Sequence, residues 1–75
     1  MKVLLIDDHP LILSALRTVI QGLGEHVHVA TADSARAARD TLRQDPSHDL
    51  VLLDLQLGDA DGFDLLADLR SLYPA

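Results

Sequence analysis

Aspartates at two places in the sequence have the spacing of a metal or phosphoryl site. Asp7 and Asp8 follow the apolar run at residues 2–6, and Asp54 follows a second apolar run, Leu50 to Leu53. An unpaired carboxylate is costly to bury, and parallel sheets present their chemistry at the carboxyl ends of their strands. We therefore interpret these three acids as site residues, whereas Asp59 and Asp61 are more typical of a solvated loop.

The three carboxylates would lie close together if the first and third strands were neighbours. Two such charges ~5 Å apart repel by about 3 kcal/mol at an effective dielectric constant near 20. The summed repulsion of three such pairs would approach the whole stability of a small domain, ~5–15 kcal/mol. Protonation or a bound cation must therefore relieve this repulsion. Because the ligands are all oxygen and few in number, Mg²⁺ suits them better than Ca²⁺. The alternative is a set of separate turn and helix-capping acids.

The sequence around these acids alternates between short apolar runs, which predict strands, and helical spacing of apolar residues. Three strand–helix units with short loops predict an α/β fold with a parallel sheet and right-handed crossovers. The third apolar run has the composition of a strand that is buried on both faces. The predicted strands are residues 2–6, 26–31 and 50–54, and the predicted helices are residues 11–23, 34–44 and 63–72.

Several residues are suited to the ends of these elements. Pro10 fits the first turn of the first helix, Asp33 or Ser34 can cap the second, and Asp61 can cap the third. Histidines 26 and 28 would share one face of the second strand and could bind a metal, but solvent-facing residues of an edge strand are the commoner case. His9 is expected to pack within its loop.

Composition restricts the classes of protein that remain. The chain has 75 residues and no cysteine, which predicts a single small domain without disulfides. Its net charge is −6, so the phosphate backbone of a nucleic acid would repel it. We expect no direct binding to nucleic acid. No apolar run reaches the length of a membrane helix, and the apolar run at the start of the chain is too short for a signal sequence. A cytoplasmic location is therefore expected.

Enzyme classes that use acids at strand ends fit less well. A haloacid-dehalogenase-like phosphatase would need an acid two residues after Asp7, where this chain has His9. A flavodoxin would need a hydroxyl- and glycine-rich phosphate loop in place of residues 7–10, and no nucleotide-binding fingerprint is present. We do not expect the chain to be an enzyme.

The two acidic motifs resemble those of a known family. Residues 6–11 read Ile-Asp-Asp-His-Pro-Leu, and residues 53–62 read Leu-Asp-Leu-Gln-Leu-Gly-Asp-Ala-Asp-Gly. Together they look like a two-component response-regulator receiver domain, closest to the subfamily that carries a C-terminal helix-turn-helix. The resemblance implies a three-layer, flavodoxin-like parallel sheet, here with three strands in the order 2-1-3.

The same resemblance implies a role for each site residue. Asp8 would bind Mg²⁺ directly, Asp7 would act mostly through water, and Asp54 would be both a ligand and the phosphoacceptor. The backbone carbonyl of Gln56 would complete the protein ligands. The implied partner is a sensor histidine kinase that docks chiefly on the first helix.

The chain also departs from the family pattern. The family usually has proline where this chain has Gly58, and the Ser or Thr and the Lys that respond to phosphorylation belong to fourth and fifth strands, which these residues do not provide. We therefore expect weak or absent phosphotransfer from this fragment alone. The third strand would be left as an edge, and we expect a homodimer to cover it. The alternative function is a self-associating half-domain that transfers no phosphate.

Overall fold

The computed structural model of the protein describes residues 1–54, 57–58 and 62–72. Three parallel strands form one sheet: β1 (Lys2–Ile6), β2 (His28–Ala32) and β3 (Leu50–Leu53). The order in the sheet is β2-β1-β3, so β1 is central and β3 is its neighbour. This order and the parallel α/β fold confirm the prediction from the sequence.

A helix follows each strand: α1 (Pro10–Gln21), α2 (Ala35–Gln44) and α3 (Gly62–Leu72). Proline occupies the first turn of α1, where its missing N–H costs no hydrogen bond. Ser34 caps α2, since its hydroxyl accepts a 3.0 Å hydrogen bond from the backbone N–H of Ala37. The predicted cap of α3, Asp61, lies outside the described residues.

The two faces of the sheet are covered by different helices. Leu4 and Ile6 of β1 point to the face that α2 and α3 cover, whereas Val3 and Leu5 point to the opposite face, next to α1. An ion pair of 2.6 Å between Arg39 and Asp68 also connects α2 to α3. The core on the α2 and α3 side consists of Leu4, Ile6, Ala32, Ala35, Ala38, Leu42, Leu57 and Leu65. In the described part of the chain, no helix has the length and apolar character needed to cross a bilayer.

The structure corrects the predicted bounds of α1 and β2. Helix α1 ends at Gln21 instead of residue 23, because the N–H of Gly22 bonds to the Thr18 carbonyl and the next N–H closes a tighter turn to Ile20. Strand β2 runs through residues 28–32 instead of 26–31. Residues 25 and 26 form a turn that the N–H of Val27 closes on the Gly24 carbonyl, so the two histidines do not share a strand face.

Strand β3 is shorter and less buried than predicted. It ends at Leu53, one residue before Asp54, and it is an edge strand within the described residues. Leu50 is 40% exposed and Leu52 is 39% exposed, whereas Val51 and Leu53 are half-buried against the core. The prediction of a strand that is buried on both faces is therefore wrong for these residues. The apolar stripe of α1 is also largely exposed, and no residue of that helix is buried.

The single lysine of the chain lies at the amino edge of the sheet, away from the acids that follow the strands. Lys2 Nζ forms a 2.6 Å ion pair with Asp45 and donates a 3.0 Å hydrogen bond to the Ser47 hydroxyl. The N–H of Lys2 also donates to an Asp49 carboxylate oxygen at 2.8 Å. These contacts connect the start of β1 to the loop between α2 and β3.

We expect Asp45→Asn to lower the urea midpoint of unfolding slightly at neutral pH. Hydrogen bonds from Lys2 and Ser47 hold the pKa of the Asp45 carboxyl well below its usual value. Because folding lowers this pKa, the carboxylate contributes stability above the ordinary carboxyl pKa and loses it as the pH falls further. The gap between the two midpoints should therefore narrow progressively as the pH falls below about 5. The effect is small, since the pair is exposed.

The control is Glu25→Gln, which removes one exposed carboxylate from the turn before β2. Its urea midpoint should stay close to that of the unmodified chain across the same range. A gap for Asp45→Asn that stays constant down to about pH 2 would contradict the assignment of its stability to the ionised carboxylate.

Candidate metal centre at the carboxyl edge of the sheet

The backbone of the sheet brings the first and third strand ends together. Ile6 pairs with Leu53 in the parallel register, so the residues that follow them, Asp7 and Asp54, emerge side by side. The N–H of Asp54 donates to the Ile6 carbonyl at 2.8 Å, and the N–H of Asp7 donates to the Ala32 carbonyl at 3.0 Å. Both site residues are therefore anchored by sheet hydrogen bonds although they lie just beyond the strands.

His9 lies among the three carboxylates. Its Nδ1 atom is 2.6 Å from an oxygen of Asp7, 3.0 Å from one of Asp8 and 3.5 Å from one of Asp54. Its backbone N–H also donates to the same Asp7 oxygen at 2.9 Å. The His9 carbonyl accepts from the N–H of Leu13 at 3.0 Å, so the start of α1 fixes the backbone that carries the imidazole.

The charges in this cluster shift two pKa values in opposite directions. Partial burial acts to raise the pKa of Asp7, but hydrogen bonds from the side chain and the backbone N–H of His9 outweigh it, and the net pKa lies below the ordinary value. The hydrogen bond to Asp7, then the charges of Asp8 and Asp7, raise the pKa of His9. The imidazole therefore acts as a counter-charge to the carboxylates when it is protonated.

The donor atoms of the cluster fit a divalent cation. One atom from each of Asp7, Asp8, His9 and Asp54 lies within 4.8 Å of every other. Carboxylate oxygens are the ligands that Mg²⁺ prefers, and this ion usually keeps several waters beside one or two protein carboxylates. The other predicted ligand, the carbonyl of Gln56, lies outside the described residues, as do Asp59 and Asp61.

Gly58 approaches the same site from the loop that follows β3. A Cβ atom at this position would lie 3.4 Å from an Asp8 carboxylate oxygen, which is an ordinary van der Waals contact with the end of a side chain. No described glycine has a positive φ, so the backbone here does not need glycine. The loop therefore has room for a small side chain next to Asp8.

We expect Gly58→Ala to raise the free energy of unfolding by about 0.4–1 kcal/mol, because alanine restricts the unfolded chain more than glycine does. Urea denaturation measures the difference. Gly22→Ala is the matched comparison, since its Cβ would lie 3.3 Å from the Val19 backbone oxygen, which cannot move aside as easily. Gly22→Ala should therefore raise the free energy of unfolding by less than Gly58→Ala does. A loss of stability in Gly58→Ala would contradict the open geometry at Asp8.

The role of His9 in this cluster differs from what the sequence predicted. We expected loop packing, whereas its imidazole contacts all three acids. Its position directly after an acid pair and before a helix-starting proline is the signal that could have identified it. The backbone of a residue at that point is fixed by the first turn of the helix, and its side chain can reach its neighbours' carboxylates.

The sequence and the fold are similar to those of known proteins. The family model of the response regulator receiver domain matches residues 3–75. The chain is 44% identical over 73 residues to the alginate biosynthesis transcriptional regulatory protein AlgB of Pseudomonas syringae pv. tomato, covering 97% of this chain and 16% of that protein. It is 38% identical over 74 residues to the aerobic respiration control sensor protein ArcB of Escherichia coli, covering 99% of this chain and 9% of that protein.

A solved structure shares the fold at lower identity. The response regulator protein TrrA of Thermotoga maritima, in complex with Mg²⁺-BeF, superposes with a TM-score of 0.87 at 25% identity, over 97% of this chain and 61% of that one. The match of the family model over nearly all residues, together with the similarity in sequence and in fold, agrees with the resemblance seen in the acidic motifs. The chain therefore belongs to the response regulator receiver domain family.

Proposed function

We propose that this chain is the phosphoacceptor module of a two-component response regulator and that it takes a phosphoryl group from a sensor histidine kinase onto Asp54. The observation that carries the proposal is the convergence of Asp7, Asp8 and Asp54 at one edge of the sheet. Membership of the receiver family supports it. The chain spans 16% of the length of the AlgB relative, so what a complete protein would regulate is part of the proposal as well.

The residues of the site have separate tasks in this reaction. A carboxylate oxygen of Asp54 forms a bond to phosphorus while the bond from phosphorus to the kinase histidine breaks, and that imidazole keeps the electron pair and takes up a proton. The sheet hydrogen bond of the Asp54 N–H holds the nucleophile at the rim, where its side chain is partly exposed to a donor. Asp7, Asp8 and Asp54, with the Gln56 carbonyl, would hold Mg²⁺, which offsets negative charge on the phosphoryl oxygens when it is bound.

The partner and the location belong to the same proposal. The kinase would dock chiefly on α1, which begins directly after the acid pair and exposes apolar side chains such as Leu11 and Val19. The net charge of −6 argues against direct contact with nucleic acid by these residues. The proposal includes a cytoplasmic location, because the names of several relatives describe transcriptional regulators. It treats the module as a substrate of the kinase and not as an enzyme.

Phosphorylation with a small phosphodonor and Mg²⁺ tests the proposal. Peptide mapping by mass spectrometry, which detects weak modification, should find one phosphoryl group on Asp54 and none on Asp49, which precedes the same strand. The isosteric variant Asp54→Asn should abolish the signal. The proposal fails if the modified fraction at Asp54 is no greater than at Asp49, or if Asp54→Asn leaves the signal unchanged.

A second function, self-association without phosphotransfer, has its own supporting observation. Leu50 and Leu52 remain exposed on β3, which is an edge strand within the described residues. Edge strands with apolar side chains tend to pair with another chain. A homodimer through β3 would cover these two leucines.

Light scattering during size exclusion at micromolar concentration separates the two functions. A dimer whose Asp54 stays unmodified favours self-association alone. A stable, folded monomer would count decisively against pairing through β3. Replacing Leu52 with Lys, which adds charge to the exposed face of the edge strand, should shift any dimer to monomer.

A further inference from the structure

The acid cluster contains one donor that is not oxygen. His9 Nδ1 lies within 3.5 Å of a carboxylate oxygen from each of Asp7, Asp8 and Asp54. The backbone of His9 is fixed by hydrogen bonds on both sides, since its N–H donates to Asp7 and its carbonyl accepts from the N–H of Leu13. The start of α1 therefore places the backbone of His9 within reach of the cluster, and the 2.6 Å contact with Asp7 orients the ring.

The distances from Nδ1 to the three carboxylate oxygens are close to those between neighbouring ligands on one metal ion. Two adjacent donors with bonds of about 2.0–2.2 Å to a metal lie about 3 Å apart. The three distances from Nδ1, 2.6, 3.0 and 3.5 Å, are centred on that value. The same atoms can thus serve as an ion pair without a metal and, once Nδ1 releases its proton to solvent, as ligands with one.

A nitrogen ligand changes which metals a site prefers. Carboxylates and water suit Mg²⁺ and Mn²⁺, whereas imidazole suits Zn²⁺, Cu²⁺, Ni²⁺ and iron, and affinity for N and O sites rises along the first-row series. Mg²⁺ gains little from imidazole, because it is a hard cation that prefers oxygen. A site with three carboxylates and one imidazole should therefore favour a transition metal more strongly than three carboxylates alone.

We propose that His9 Nδ1 is a metal ligand in this site and that it shifts the preference of the site from Mg²⁺ toward divalent transition metals such as Zn²⁺ and Ni²⁺. The inference rests on the metal site of the proposed function. It adds His9 to the protein ligands, and it adds a class of ion that can occupy the site in place of Mg²⁺.

Pulsed electron paramagnetic resonance of bound Mn²⁺ tests the ligand directly, using the full chain without a polyhistidine tag. The unmodified protein should give a ¹⁴N coupling from a directly bound imidazole. His9→Ala should lose this coupling and keep its fold by circular dichroism, because the His9 side chain makes no capping hydrogen bond to α1. His28→Ala, which removes an exposed imidazole from β2, should keep the coupling.

Calorimetric titration supplies the second measurement. The ratio of Zn²⁺ affinity to Mg²⁺ affinity should fall by about tenfold or more in His9→Ala, in line with the ~10–100-fold losses seen when groups that support a metal are removed. Absence of ¹⁴N coupling in the unmodified protein, or an unchanged ratio in His9→Ala, would overturn the inference. Mg²⁺-dependent modification of Asp54 in the unmodified chain is a separate readout, so the proposed function can stand when this inference fails.

Discussion

Replacing Leu4 with Ala is expected to lower the free energy of unfolding by about 2–5 kcal/mol. Leu4 lies on the central strand, is 0% exposed, and pairs in register with Ala30 and Val51. Truncation removes buried methyl groups and leaves a cavity that two flanking strands cannot easily fill. The free energy of unfolding of such a domain is only ~5–15 kcal/mol in total, so the loss is a large fraction of its stability.

Urea denaturation followed by circular dichroism measures this loss. The matched control is Leu11→Ala on α1, where the same atoms are removed from a side chain that is 86% exposed. The control should stay within about 0.5 kcal/mol of the unmodified chain. Equal losses in the two variants would contradict the assignment of β1 as the core of the fold.

Replacing Asp8 with Asn is expected to weaken Mg²⁺ binding by about 10–100-fold or more, since loss of a supporting group alone costs that much at many metal sites. The variant keeps the shape of the side chain and removes one of three negative charges. The same change should leave the metal-free protein as stable or more stable, because it relieves repulsion between carboxylates. The two effects therefore have opposite signs.

Calorimetry gives the affinity, and thermal unfolding with and without Mg²⁺ gives the stability. Saturation at about 100 times the dissociation constant should add about 2.7 kcal/mol to the unmodified protein and much less to the variant. Asp33→Asn is the control, because Asp33 follows β2 at the same edge but is not part of the cluster. If both variants weaken binding equally, general negative potential and not ligation by Asp8 explains the affinity.

The parallel direction of the strands could be predicted from the sequence, because short apolar runs alternate with segments of helical spacing and each run ends sharply at an acid or a turn. The register follows from the same feature. Ile6 and Leu53 are the last apolar residues of their runs, so pairing them aligns the two strand ends. The resemblance to receiver domains then gave the order in which the strands lie.

Features that depend on the whole fold could not be read from local sequence. The first strand fixes the start of β2, since the N–H of His28 bonds to the Met1 carbonyl and the chain before it turns to reach that point. The exposure of Leu50 and Leu52 depends on what lies beyond the edge strand, and not on their hydropathy. The contacts of His9 depend on the direction of its χ angles, which spacing along the chain does not specify.

The central place of β1 has a consequence for amide hydrogen exchange. Its N–H and carbonyl groups are used by neighbours on both sides, whereas β3 has one partner within the described residues. Amides of β1 should exchange only through global unfolding, and those of β3 also through smaller openings. Separation of β3 alone would carry Asp54 away from Asp7 and Asp8. The acidic cluster should therefore come apart in fluctuations that leave most of the domain intact, and a bound ion should slow exchange in β3 more than in β1.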